Sequence, residues 1–168
     1  YLAGRYVAQK ALKQMGIENF QIFADSKRCP IWPSAICASI SHTDNKALCV
    51  IADKKNIAFL GIDTEDWLNE KLALELQSQI IDLQEKQHII VSKMPFNEGF
   101  TLIFSAKESI FKALYPDVKE YFDFTAAKLT AIDTDKKVLF FSLNENLSPL
   151  FCTGKKLQVH YQSMKTGI

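Results

Sequence analysis

The stretch Gly61-Ile62-Asp63-Thr64-Glu65 ends an apolar run and places two carboxylates two positions apart. The residues before Asp63 predict a β-strand over residues 57–64, because they are almost all apolar (Ile57, Ala58, Phe59, Leu60, Ile62). Side chains at positions i and i+2 of a strand project from the same face, so we expect Asp63 and Glu65 to point together. Two carboxylates held that close repel each other unless one is protonated or a cation lies between them.

Oxygen ligands of this kind suit Mg2+, which usually takes one or two protein carboxylates and completes its shell with water and substrate phosphate. The alternative is an exposed strand end that carries two solvated acids, as protein surfaces commonly do. On residues 61–65 alone this alternative is favoured, so a metal site needs support from elsewhere in the chain.

A second stretch, residues 96–114, has the pattern of a helix with one broad apolar side, formed by Phe100, Ile103, Phe104, Phe111 and Leu114. Ser105, Glu108 and Lys112 fall at i, i+3 and i+7, which makes a polar stripe on one face. Glu108 and Lys112 could instead form an ordinary surface ion pair worth about 0.3 kcal/mol. A third carboxylate beside a lysine is nevertheless what a phosphoryl-transfer site needs.

The rest of the chain alternates between helix and strand patterns. We predict that strands 46–52 and 57–64 form a hairpin, which delivers Asp63 and Glu65. Further strands are predicted over residues 20–24, 36–42, 122–132, 138–143 and 157–164. Helices are predicted over residues 1–15, over 70–92 with a break near Asp82, and over 96–114 with an end at 115–117.

Composition limits the class of protein. A net charge of +1 argues against a dedicated nucleic-acid binder, and no apolar run is long enough to span a bilayer. The four cysteines lack CxxC pairing, and we expect thiols in a reducing cytosol. We therefore expect a cytoplasmic protein and, in a chain of this size, a monomer.

Both stretches resemble one family, the 4'-phosphopantetheinyl transferases, and within its surfactin-type group the enterobactin-synthase component D type. The matching motifs are Gly-Ile-Asp-x-Glu at residues 61–65 and Phe-Ser-Ala-Lys-Glu-Ser-x-x-Lys-Ala at residues 104–113. Three more occur in the family's order: Leu-Ala-Gly-Arg at 2–5, Lys-Arg-x-Pro-x-Trp-Pro at 27–33 and Ser-Ile-Ser-His at 39–42. The resemblance extends from residue 1 to about residue 132, and together the motifs are specific.

The resemblance implies an α+β fold of two similar lobes related by a pseudo-two-fold, each a long helix packed on antiparallel strands. The expected lobes are residues 1–66 and 67–168, with the active site in the cleft between them. The family carries a further segment before the point that corresponds to residue 1, so we expect a truncated start.

The resemblance also implies a reaction, in which 4'-phosphopantetheine passes from coenzyme A to a serine of an apo acyl, peptidyl or aryl carrier protein. Mg2+ is expected on Asp63, Glu65 and Glu108. Glu108 is the expected general base, acting directly or through water on the metal. Lys112 and His42 are expected to stabilise charge on the phosphates, as catalytic groups.

Coenzyme A contacts follow from the same resemblance. Arg5, Lys27 and Arg28 are expected to bind the 3'-phosphate, for which the planar fork of an arginine is suited. The remaining phosphate contacts are expected from Ser41, His42, Lys107 and Lys112. The family usually has glycine where Ala35 and Ala38 stand, and glycine permits positive φ and close backbone approach.

Two alternatives belong to other classes. A non-catalytic module that binds coenzyme A or a nucleotide would bind ligand without metal-dependent release of adenosine bisphosphate. A nuclease or another metal-dependent phosphoryl enzyme would need a basic surface with interleaved aromatic residues, and the near-neutral charge argues against one.

Overall fold

The computed structural model describes residues 2–168 of the chain. These residues form four α-helices: α1 (Leu2–Gln14), α2 (Glu70–Ile80), α3 (Leu83–Ser92) and α4 (Phe96–Val118). They also form five β-strands: β1 (Ile36–His42), β2 (Ala47–Asp53), β3 (Ala127–Asp133), β4 (Val138–Leu143) and β5 (Lys156–His160). β1 pairs with β2, and β3, β4 and β5 form a second sheet in that order, all antiparallel. The predicted α+β class is confirmed.

The first sheet packs under α1 through the apolar face of β1. Ile36, Ala38 and Ile40 alternate along that strand and join a core cluster with Ala8 and Leu12 of the helix. Ser39 and Ser41 therefore project from the opposite face, and both are buried. One face of β1 thus contributes apolar side chains that pack against α1, and the opposite face of the strand carries two hydroxyl groups.

The second sheet packs against α4, the longest helix. Leu139, Phe141 and Leu143 alternate along β4 and join a core cluster with Phe100 and Ile103 of α4. The helix runs one turn past its predicted end, through Pro116 to Val118. The predicted break near Asp82 is confirmed, since this residue caps α3 and separates it from α2.

The predicted strand over residues 57–64 is wrong, and so is the hairpin it would form with β2. β2 pairs with β1 instead. The backbone N–H groups of Ile62 and Thr64 donate to the hydroxyls of Ser39 and Ser41, at 3.1 and 3.3 Å. These hydroxyls lie on the face of the sheet, so the segment crosses that face rather than extending an edge.

Gly61 fixes how closely this segment approaches α4. A Cβ placed on Gly61 would overlap the carbonyl oxygen of Ser109 and would lie 2.8 Å from the backbone nitrogen of Ala113. The position therefore needs glycine because two backbones meet there. This contact brings the carboxylates that follow Gly61 beside the helix.

The end of the described chain closes the other side of the segment. The N–H of Glu65 donates to the carbonyl of Ile168 at 3.1 Å, and the N–H of Ile168 donates back to Glu65 at 2.9 Å. The hydroxyl of Thr64 donates to the same Ile168 carbonyl at 2.6 Å. Gly167 is required here, since a Cβ on it would overlap the carbonyl oxygen of Glu65. Residues 61–67 are thus held between α4 and residues 166–168.

The other predicted strands differ in detail. Residues 20–24 form no strand; Ala24 makes a single bridge to Pro30, because the Asp25 carboxylate accepts from two backbone N–H groups and closes a tight loop. The strand predicted over residues 122–132 begins later, at Ala127, after a turn of 3-10 helix that Asp123 caps. The last strand ends at His160.

The apolar residues form two core clusters that fall on either side of the predicted lobe boundary. One cluster contains only residues before 67, and the other contains only residues from 67 onward. The division into lobes 1–66 and 67–168, with its pseudo-two-fold, stays a prediction. Within residues 2–168, no helix combines the length and the apolar character needed to cross a bilayer.

Candidate active site

Asp63 is the centre of a buried polar cluster between β1 and α4. Its side chain is 3% exposed. The Ser41 hydroxyl donates to Asp63 Oδ1 at 2.8 Å, and Lys112 Nζ donates to the same oxygen at 2.5 Å. β1 therefore delivers Ser41, α4 delivers Lys112, and the crossing segment delivers the carboxylate between them.

Ser41 uses its whole hydrogen-bonding capacity inside the protein. Its hydroxyl donates to Asp63 and accepts from Thr64 N and from Lys112 Nζ, at 3.3 and 3.2 Å. A serine hydroxyl offers one donor and two lone pairs, so all three are occupied. Ser41 thereby holds the side chains of Asp63 and Lys112 next to each other.

The surroundings of this cluster raise the pKa values of two further carboxyl groups, those of Glu65 and Glu108. Burial, together with the charge of Asp63, raises the pKa of Glu65 from 4.5 to about 7, and Lys112 partly opposes the rise. Burial and Asp63 also raise the pKa of Glu108, again against Lys112. The charge of Asp63 thus disfavours the charged form of both glutamates.

The fit of this cluster to Mg2+ rests on its donor atoms. Asp63 Oδ2 is buried and has no hydrogen-bond partner among residues 2–168. A buried carboxylate oxygen without a donor, beside further acids, is a position that a divalent cation would satisfy. Across the same residues, however, no group of three or more His, Cys, Asp or Glu side chains is arranged to hold a metal ion. The predicted three-carboxylate site therefore stays a prediction.

His42 and Ser41 do not form a pair on one face. His42 is exposed at the end of β1 and projects on the α1 side, where its Cδ2 lies 3.7 Å from the Cβ position of Gly4. Arg5, the next residue of α1, donates to the carbonyls of Ile22 and Phe23 at 2.5 and 3.2 Å. The start of α1 thus lies beside the His42 imidazole, while the Arg5 guanidinium binds the chain at residues 22–23.

Lys27 and Arg28 lie on an exposed loop near the C-terminal end of α4. Lys27 Nζ donates to the carbonyl of Lys119, the residue that caps this helix, at 2.7 Å. A cation at a helix C-terminus is stabilised by the helix dipole. The Lys27 bond therefore ties the loop to α4. Arg28, the next residue of the loop, has a positive φ of 67°.

Lys107 contradicts its predicted role as a phosphate contact. Its ammonium group is buried in the second core, where it donates to the carbonyls of Ile80 and Phe124 at 2.7 and 3.1 Å. It also lies 2.8 Å from Glu85 Oε1. Burial lowers the pKa of Lys107, and Glu85 opposes that shift. All three donors are used, so none is available to a ligand.

Three residues of structural importance escaped the sequence analysis: Ser39, Thr64 and Glu85. Ser39 carried a readable signal, since it stands two positions before Ser41 and faces the same side of β1. Glu85 carried a partial signal, since it stands three positions after Asp82 in the spacing of a capping box. Nothing local indicated its bond to Lys107 or the bond of Thr64 to Ile168, because these partners are distant in sequence.

Ala35 and Ala38 do not need the freedom of glycine. Neither has a positive φ. Ala38 packs in the core cluster under α1, so its methyl group contributes to that cluster.

An open cleft of about 960 Å3 borders Asp63. Its walls are residues 59–63, the facing side of α4 and the chain from Leu157 onward, and they are mostly apolar. Asp63 is the member of the polar cluster that lines this cleft.

The Glu65 carboxyl predicts a pH dependence of stability in metal-free protein. Between pH 4.5 and about 7 the folded state keeps a proton that the unfolded state has lost, so stability falls as pH rises through this window. Glu65→Gln should flatten this slope. Urea unfolding in EDTA, at pH 4.5 and at about pH 7, measures the change in unfolding free energy for the natural chain and for Glu65→Gln. Equal changes in the two proteins would contradict the raised pKa of Glu65.

Two family models match the chain. The 4'-phosphopantetheinyl transferase N-terminal domain matches residues 1–52, and the 4'-phosphopantetheinyl transferase superfamily matches residues 59–165. The second match alone covers more than half of the chain.

Individual relatives agree with these models. Enterobactin synthase component D of Salmonella typhimurium is 39% identical over 132 residues, which are 79% of this chain and 54% of the relative. The protein of the same name from Escherichia coli is 35% identical over 113 residues, 67% and 52% of the two chains. The 4'-phosphopantetheinyl transferase Svp of Streptomyces mobaraensis is 30% identical over 133 residues, 78% and 53%. The chain spans about half the length of these relatives. It belongs to the 4'-phosphopantetheinyl transferase superfamily.

Proposed function

We propose that this chain transfers the 4'-phosphopantetheine group of coenzyme A to a serine of an apo carrier protein. Membership of the superfamily supports the reaction class. The observation that carries the proposal is the cluster in which Asp63 pairs with Lys112 and its charge raises the pKa of Glu108.

In this reaction one bond forms and one breaks at a single phosphorus atom. The serine oxygen attacks the phosphorus that bears the pantetheine, and the bond from that phosphorus to the bridging pyrophosphate oxygen breaks. Adenosine 3',5'-bisphosphate leaves, and the serine proton passes to a base. No net oxidation or reduction occurs.

Glu108 is the proposed base. Burial and the nearby charge of Asp63 raise its pKa, which makes its carboxylate a stronger base than an ordinary glutamate. It is half-buried on α4, one helical turn from Lys112. Lys112 can therefore stabilise phosphate charge on the same side of the helix from which the proton is taken.

Asp63, Glu65 and Glu108 are the residues that would hold Mg2+, and the bound ion would offset charge on the pyrophosphate. The other residues of the chain hold these carboxylates in position. Ser41 orients Asp63, and the two backbone bonds between Glu65 and Ile168 fix the backbone that carries the Glu65 side chain.

Coenzyme A is proposed to lie between the start of α1 and the cluster. Arg5, together with Lys27 and Arg28 from the loop, would bind the 3'-phosphate, and His42 with Lys112 would bind the pyrophosphate. Lys27 would then exchange its bond to the Lys119 carbonyl for a stronger charge-assisted one. Ser41 acts on phosphate through Asp63 and Lys112, since its own bonds are taken.

The proposed partner is an apo acyl, peptidyl or aryl carrier protein, and siderophore synthesis is the proposed setting. Enterobactin synthase component D, the name of several relatives, supports this setting. A cytoplasmic location and a monomeric state complete the proposal.

Mass spectrometry of a panel of apo carrier proteins tests the function. We expect each productive carrier, incubated with this chain, coenzyme A and Mg2+, to gain the mass of phosphopantetheine, and EDTA to abolish the gain. The preferred carrier would identify the pathway. Tight binding of coenzyme A with no mass gain on any carrier would favour the non-catalytic binding module instead.

A further inference from the structure

Lys112 supplies positive charge to Asp63, as a bound divalent cation would. Its Nζ is 2.5 Å from Asp63 Oδ1 and 3.2 Å from the Ser41 hydroxyl. We infer that Lys112 is a built-in substitute for the divalent cation, and that cation binding displaces its ammonium group from Asp63. The inference rests on the proposed magnesium site.

Asp63 needs a countercharge whether or not a metal is bound. Its side chain is 3% exposed, and a buried carboxylate without a paired charge is strongly disfavoured. The ammonium group of Lys112 provides that charge from one side only, because Asp63 Oδ2 stays without a partner. The carboxylate is thus neutralised but incompletely coordinated, which leaves room for a better ligand.

Lys112 is suited to leave. Its side chain is 28% exposed, and a lysine carries its charge on a flexible four-carbon stem. Ser41 would keep its bonds to Asp63 and Thr64 after the departure, so the carboxylate would keep its orientation. A divalent cation at the free Oδ2 would lie only a few ångströms from the ammonium group on Oδ1, and the two positive charges on one carboxylate would repel each other.

Displacement would link two binding events. Once released, the ammonium group is free to meet an anion, so metal binding should strengthen the binding of a phosphate-bearing substrate. Linkage requires the substrate to strengthen metal binding by the same factor. Lys112 would then serve two partners in succession, Asp63 and phosphate.

Metal affinity measured without coenzyme A tests the competition. Mn2+ binding, followed by electron paramagnetic resonance of the free ion, should be about tenfold tighter for Lys112→Met than for the natural chain, since one charge-assisted bond no longer has to be broken. Lys46→Met is the matched control. Lys46 is 20% exposed and pairs with Asp66 at 3.2 Å, so its loss removes one positive charge nearby without touching Asp63. Equal tightening in both variants would show a general charge effect and overturn the inference.

Amine labelling provides an independent readout on the natural chain. Peptide mass spectrometry after brief acetylation should show that Mg2+ raises the labelling of Lys112 severalfold and leaves that of Lys46 unchanged. Metal binding with unchanged Lys112 labelling would overturn the displacement alone. A natural chain that binds neither Mn2+ nor Mg2+ would overturn the metal site and the inference together, whereas phosphopantetheine transfer is read separately on the carrier.

Discussion

Glu108→Ala is expected to reduce the transfer rate by about 10²- to 10⁴-fold, the usual contribution of a positioned general base. Loss of a metal ligand would add to this effect. Coenzyme A binding should persist, because Arg5, Lys27, Arg28 and His42 lie elsewhere and are unaltered. Single-turnover transfer to a carrier measures the rate, and calorimetry measures coenzyme A binding.

Glu98→Ala is the matched control for this prediction. Glu98 lies in the first turn of the same helix, so its removal tests the general effect of losing an acid from α4. It should cost at most about 1 kcal/mol of stability, through the helix dipole, and leave transfer intact. A Glu108→Ala protein with natural turnover would end its assignment as base and metal ligand.

Gly61→Ala is expected to destabilise the protein by about 3 kcal/mol, at the upper end of the range for overpacking. The added methyl group would meet the backbone of Ser109 and Ala113, and a helix interior cannot move aside as a side chain can. Any relaxation would push the Asp63 segment away from Lys112. Urea unfolding measures the stability, and transfer measured well below the unfolding midpoint reports the displacement.

Gly4→Ala separates this effect from a general cost of replacing glycine. A Cβ there would lie 2.8 Å from Ile40 Cγ2, so it would press on one side-chain methyl group rather than on the backbone of a helix. Alanine also favours the helix by up to about 1 kcal/mol. We therefore expect a small change for Gly4→Ala. Similar stabilities for the two variants would contradict the close packing of residues 57–64 on α4.

Local spacing predicted one geometric relation within the candidate site. Glu108 and Lys112 lie on one side of α4 as the helical period requires, and Lys112 reaches Asp63. The strand pattern over residues 57–64 gave no information about the neighbours of this segment, which forms no strand. Hydroxyls of β1 bind that backbone where a ladder was expected, and only the tertiary structure places them there.

Lys107 shows the limit of motif reasoning. It stands beside Glu108 in the matched motif, yet the helix turns its side chain toward the core. Its partner Glu85 also caps α3 and accepts from the backbone N–H of Leu129. No local pattern reports this network, because each bond joins a different element of the fold.

The tie between Thr64 and Ile168 has a consequence for biosynthesis. The two residues are 104 positions apart, so a ribosome adding about 5–20 residues per second needs about 5–20 seconds to supply the second after the first. The segment that carries Asp63 and Glu65 is made first, α4 follows, and residues 166–168 are made last of the three. The segment can therefore bond to the Ser39 and Ser41 hydroxyls of β1 before its other neighbours exist, and we expect it to reach its final position only after α4 and residues 166–168 have been made.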